Sequence, residues 1–106
     1  MDPILQSITS VVRHFNKQVR NGRSQDDIVN HMDGEVLELR EEIEKVKLGL
    51  PPGPDGIVGE NIDVIACALD SIFEAAPDIT DEQLAAIMFA KCNKWARKYG
   101  HDLQAS

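Results

Sequence analysis

Apolar residues recur every three or four positions along most of the chain, and no stretch alternates convincingly enough to form a strand. Ile4, Leu5, Ile8, Val11, Val12, Phe15 and Val19 predict a first helix from about Pro3 to Val19. Asp2 is its N-cap, Pro3 its first helical position and Asn21-Gly22 its stop. Ser24-Gln25-Asp26-Asp27 reads as a capping box with Asp in place of the usual Glu, and opens a second helix that runs to about Leu48. Ile28, Met32, Val36, Leu39, Ile43 and Val46 form its core stripe. The run Gly49-Leu50-Pro51-Pro52-Gly53-Pro54-Asp55-Gly56 then breaks the helical pattern. A third helix is expected from Gly59 or Glu60 to a point before Pro77, and a fourth from the capping box Thr80-Asp81-Glu82-Gln83 to Gly100. The expected fold is a single all-α domain over residues 1–106, a four-helix bundle whose last six residues form a flexible tail.

The polar positions add chemistry to this frame. With each residue advancing about 100°, Glu35, Glu38 and Glu42 border the core stripe of the second helix, whereas Glu44 faces solvent. On the third helix, Ile62, Ile65, Ala66, Leu69, Ile72 and Phe73 occupy one broad apolar side, which predicts a largely buried helix. Glu60, Asp63, Asp70 and Glu74 nevertheless gather in a sector of about 80° beside it. Carboxylates held against apolar surface are costly unless neutralised, paired or metal-bound. Glu35/Glu38 and Glu60/Asp63 are pairs three residues apart, so each pair can converge on one point. If the two helices pack antiparallel, four carboxylates meet, a hard-oxygen set suited to Mg²⁺ or Mn²⁺. Arg or Lys partners could neutralise them instead. Asp70 and Glu74 read as solvent or interface groups, His31 as a partly buried structural histidine or a second-layer partner of a ligand, and Phe15 as core. Arg13, Lys17 and Arg20 read as an exposed face.

The fourth helix carries the opposite sign, with Lys91, Lys94 and Lys98 beside the apolar line Leu84, Met88, Trp95 and Tyr99. A metal-binding cluster and a row of lysines are together the usual means of holding a triphosphate. Trp95 fits either a core position or a platform for a base.

Net charge and length narrow the classes. A net charge of −7 argues against nucleic-acid or anionic-membrane binding, although an acidic protein can take a phosphorylated ligand through bridging cations. At 106 residues a helical chain has a modest core and often completes it with further copies of itself. Cys67 and Cys92 lack metal or redox spacing and read as packing thiols. With no leader or apolar span evident, a cytoplasmic location is expected.

Glu35-Val36-Leu37-Glu38 and Glu60-Asn61-Ile62-Asp63, separated by the Pro/Gly loop and followed by the basic helix Lys91–Tyr99, resemble the MazG-like family of all-α nucleoside triphosphate pyrophosphatases. Gly34–Glu42 and Gly59–Leu69 resemble the text flanking those motifs, and the likeness extends over about residues 25 to 100. It implies Mg²⁺, with Mn²⁺ as a substitute, on Glu35, Glu38, Glu60 and Asp63, and triphosphate contact by Lys91 with Lys94, Arg97 and Lys98 as helpers. Trp95 and Cys67 stand where several members carry Asn and Tyr near the nucleotide. The implied reaction converts a nucleoside triphosphate and water to the monophosphate and pyrophosphate, with Glu41 or Glu42 taking the proton from water. Family members assemble as dimers or tetramers, so a homodimer or homotetramer is expected. A di-metal oxidase would need Glu-x-x-His pairs, and the chain has none. The alternative function is a non-catalytic acidic helical interaction module.

Overall fold

The computed structural model describes residues 3–19 and 22–100, and within them every side chain except those of Ile4 and Leu5. The expected Asp2 cap, Arg20, Asn21 and the tail from His101 lie outside the described residues. The described residues form four helices and no strand: α1 (Pro3–Val19), α2 (Gln25–Lys47), α3 (Gly56–Ala75) and α4 (Asp81–Lys98).

Local chemistry sets most of the boundaries. Ser24 Oγ accepts from Asp27 N at 3.1 Å while Asp27 Oδ2 accepts from Ser24 N at 2.9 Å, which closes the box that starts α2. Thr80 and Gln83 do the same for α4. Just past α4, Gly100 takes a left-handed φ of 84°, which suits the residue after a helix end.

α3 begins earlier than its breaker residues suggest. Gly56, at φ 63°, turns the chain out of the loop, and Gly59 N already donates to Asp55 O at 3.0 Å. Gly59 is therefore no boundary. A Cβ there would lie 2.6 Å from the Asp55 Cβ, so this glycine permits the first turn to form against Asp55.

α2 and α3 form a hairpin with the most extensive helix pairing in the chain, and α1 lies across α3. The core sits at that crossing: Val12, Leu69, Phe73 and Leu84 are buried, with Ile8, Ala66, Ile72 and Ile79 packed against them. α4 joins through Leu84 near its start, and Asn93 and Ala96 are its other buried positions. The bundle is open. Its radius of gyration is 16.1 Å, against about 13 Å for a compact chain of this length, and its extents are 43 × 42 × 26 Å. The broad side of α3 is correspondingly less covered than its apolar pattern predicts, since Ile62 and Ile65 are each 49% exposed. Phe15 likewise lies half open, under the Arg23 guanidinium at 5.1 Å.

Two ionic brackets hold the crossing. Arg13 does not sit on an exposed face: it stacks 4.3 Å from the Phe73 ring centre and donates to Ile79 O at 2.7 Å and Asp81 Oδ1 at 2.8 Å. Asp70, expected at solvent or an interface, is buried and accepts both Arg23 Nη atoms, at 2.5 and 2.8 Å, together with Asn16 Nδ2 at 3.0 Å. Asn16 Nδ2 also reaches Glu74 Oε1 at 3.2 Å. No helix among the described residues is long and apolar enough to cross a membrane.

Candidate metal centre

Antiparallel packing of α2 on α3 brings the two acid pairs together. Glu35, Glu38, Glu60 and Asp63 each offer a carboxylate oxygen, and these oxygens all lie within 4.8 Å of one another. Each pair spans a three-residue step on its helix, and the hairpin supplies the convergence. The burial is uneven: Glu38 is exposed, while Glu35, Glu60 and Asp63 are half-buried. Glu35 Oε2 and Glu60 Oε2 are shut off from water with no hydrogen-bond partner.

The electrostatics follow from that crowding. Burial, then the charge of Glu38 and a hydrogen bond with it, push the Glu35 carboxyl up, with Asp63 adding to the effect and His31 opposing it. Burial and the Glu38 hydrogen bond push Glu60 up to about 7, with the charges of Glu38, Asp55 and Asp63 behind them. Among these leading influences no lysine or arginine appears. Four carboxylates crowded together with no lysine or arginine bonded to any of them among the described residues favour the uptake of protons or of a metal ion. The donor set fits a hard divalent cation, being all oxygen, anionic and partly open to water.

The surrounding residues divide. His31, 60% exposed rather than partly buried, places Nε2 3.1 Å from Glu35 Oε1 and so restrains one of the four clustered carboxylates. Glu42 is buried and committed: Oε2 lies 2.7 Å from Lys45 Nζ, and Oε1 accepts from Gly53 N at 2.7 Å. The Lys45 hydrogen bond and then the Gly53 N–H hold its carboxyl below the ordinary value, which suits a loop anchor better than a proton acceptor. Glu41 is exposed on the neighbouring face.

Lys91, Lys94, Trp95, Arg97 and Lys98 are all exposed on α4, with Trp95 against Tyr99 at 5.4 Å between ring centres. α4 makes few close backbone approaches to α2 or α3, so within one chain these side chains are not gathered at the carboxylates. Cys67 is a buried free thiol, pushed up by burial and by the charges of Glu35, Asp70 and Asp63, while Cys92 is free and exposed.

Beside the cluster, α1, α2 and α3 line a partly open slot of about 230 Å³, with Val11, Val12, Phe15, His31, Ala66, Cys67 and Asp70 on its walls. His31 links it to Glu35. Sequence periodicity does not reveal this slot, because it depends on how α1 crosses the hairpin. Comparison with family models, with curated proteins and with solved structures finds no match.

Proposed function

We propose that the protein is a divalent-metal-dependent nucleoside triphosphate pyrophosphohydrolase of the MazG-like type. The observation that carries this reading is the meeting of four carboxylates within 4.8 Å, two of them with a buried oxygen that has no partner. A bound Mg²⁺ or Mn²⁺ would neutralise phosphate charge there and lower the pKa of its water. Glu35, Glu38, Glu60 and Asp63 would hold the cation, with His31 bonded to Glu35. The apolar slot takes the nucleoside end, with His31 and Phe15 on its walls.

In the reaction, a water oxygen forms a bond to the α-phosphorus as the bond from that phosphorus to the α–β bridging oxygen breaks. The electron pair leaves on pyrophosphate, and the water proton passes to a carboxylate. With Glu42 tied to Lys45 and Gly53, Glu41 is the acceptor this proposal retains.

Assembly belongs to the same proposal. Val58, Ile62 and Ile65 on α3 and Ile87, Phe89 and Trp95 on α4 present apolar surface to water, the kind of area that association covers. In a homodimer or homotetramer, the α4 cations Lys91, Lys94, Arg97 and Lys98 serve the carboxylates of a second copy. An acidic interaction module requires no convergence of its acids, and nothing in their geometry favours it.

The test is pyrophosphate release across ribo- and deoxynucleoside triphosphates, with and without Mg²⁺. Release that requires the metal supports the reading; none from any triphosphate at any divalent concentration overturns it.

A further inference from the structure

His31, Glu35, Glu38, Glu42 and Lys45 lie along one side of α2 within a sector of about 80°. The stripe has two unlike ends. At the first, His31 lines the apolar slot; in the middle are the carboxylates; at the far end is the one cation of the row. Helical side chains lean toward the N-terminus of their own helix, and Lys45 does so. Its Nζ rests 2.7 Å from Glu42 Oε2, one turn beyond Glu38 on the side of the cluster. The charge of Glu60 is among those acting on Lys45 across the hairpin.

The grip on this lysine is a built one. Glu42 is only 5% exposed, and its second oxygen is fixed by the Gly53 backbone, so the carboxylate cannot turn away without releasing the loop. A Cβ at Gly53 would lie 3.2 and 3.3 Å from the two Glu42 oxygens and 3.4 Å from Lys45 Nζ, so glycine leaves room for both groups. Lys45 remains 40% exposed, and an ammonium has three donors, so the bond to Glu42 leaves capacity for an anion. At the same end of the hairpin, α3 opens without a side-chain cap.

We infer that Lys45 binds the β- and γ-phosphates of the substrate, and hence the departing pyrophosphate, with Glu42 as its positioning residue. The nucleotide then lies along α2 in one direction, its base toward His31 and its phosphate tail toward Lys45. This rests on the pyrophosphohydrolase reading and assigns a phosphate contact within the chain's own hairpin, in addition to the α4 cations of another copy.

The experiment is calorimetric titration of pyrophosphate and of a nucleoside monophosphate into the full-length protein at fixed Mg²⁺, together with turnover. Lys45→Met removes the charge and keeps the apolar stem; it should weaken pyrophosphate binding about tenfold to a hundredfold and leave the monophosphate within about twofold. Lys45→Arg should restore most of the loss. Glu42→Gln, which can still accept from Gly53 N, should fall between wild type and Lys45→Met.

Unchanged pyrophosphate affinity in Lys45→Met, alongside normal wild-type hydrolysis, would reduce Lys45 to a loop clamp and leave the pyrophosphohydrolase reading intact. Equal losses for both ligands would overturn the direction. A wild-type protein that neither binds pyrophosphate with Mg²⁺ nor releases it from triphosphates would sink both readings.

Discussion

α3 carries two groups of acids about two turns apart, and they meet opposite fates. Asp70 is the more deeply buried, yet it is matched: Arg23 forks onto both its oxygens and Asn16 adds a third bond. Burial pushes the Asp70 carboxyl up, but the Arg23 and Asn16 hydrogen bonds and the Arg23 charge together hold it below the ordinary value. Glu60 and its neighbours are less deeply buried and lack such a partner, so Glu60 is pushed up to about 7. Depth alone does not separate a matched acid from an unmatched one; the partner does. Asp70 satisfies the fold, whereas the cluster leaves charge for something from outside.

The strongest challenge to that contrast is chemical. Glu38→Gln and Asp63→Asn should each reduce pyrophosphate release by about three orders of magnitude, equivalent to roughly 4 kcal/mol of barrier. Their unfolding midpoints in denaturant should match or exceed wild type, because like-charge crowding is relieved. Asp70→Ala should do the reverse, destabilising the fold by about 3 kcal/mol because Arg23 keeps a part-buried charge with its main partner gone. If Asp70→Ala unfolds at the wild-type denaturant concentration, the matched acid is not structural.

A smaller effect is the gain from metal. At about a hundred times its dissociation constant, Mn²⁺ should stabilise the wild type by about 2.7 kcal/mol. Thermal melts of Glu60→Gln should show most of that gain gone.

The subtlest distinction is in pH. The folded Glu60 value, about 7, lies above the ordinary 4.5, so its contribution to metal-free stability is full below about pH 4.5 and declines as pH rises to about 7. Asp70 has the opposite sign: its contribution is present above the ordinary 3.8 and is lost as pH falls through its lower folded value. Because protons compete for Glu60, divalent affinity should climb with pH up to about 7 and then level off. Between pH 5 and 8 the gap between melting curves in Mn²⁺ and in EDTA should widen as pH rises to about 7 and then hold constant; a gap of constant size throughout would count against Glu60 as a site shared by proton and metal.

Much of this was legible in the sequence, for identifiable reasons. Both capping boxes declare themselves within four residues, and the acid pairs declare themselves by a three-residue step, so short-range rules place them. Gly59 misleads because a glycine demanded by a close neighbour looks the same as one that breaks a helix. The roles of Arg13, Arg23 and Asp70 rest on partners 47 to 68 residues away, beyond any periodicity. Ile62 and Ile65 read as core because apolarity reports that a surface should be covered, not by which chain.

Under the proposed assembly, the Arg13 bracket bears on how copies meet. By joining α1 to the Phe73 ring, to the carbonyl just ahead of α4 and to the first residue of α4, it sets the angle at which that helix leaves the body. An arm locked at its elbow surrenders little freedom when another molecule closes on it, so recognition can proceed as the docking of preformed shapes.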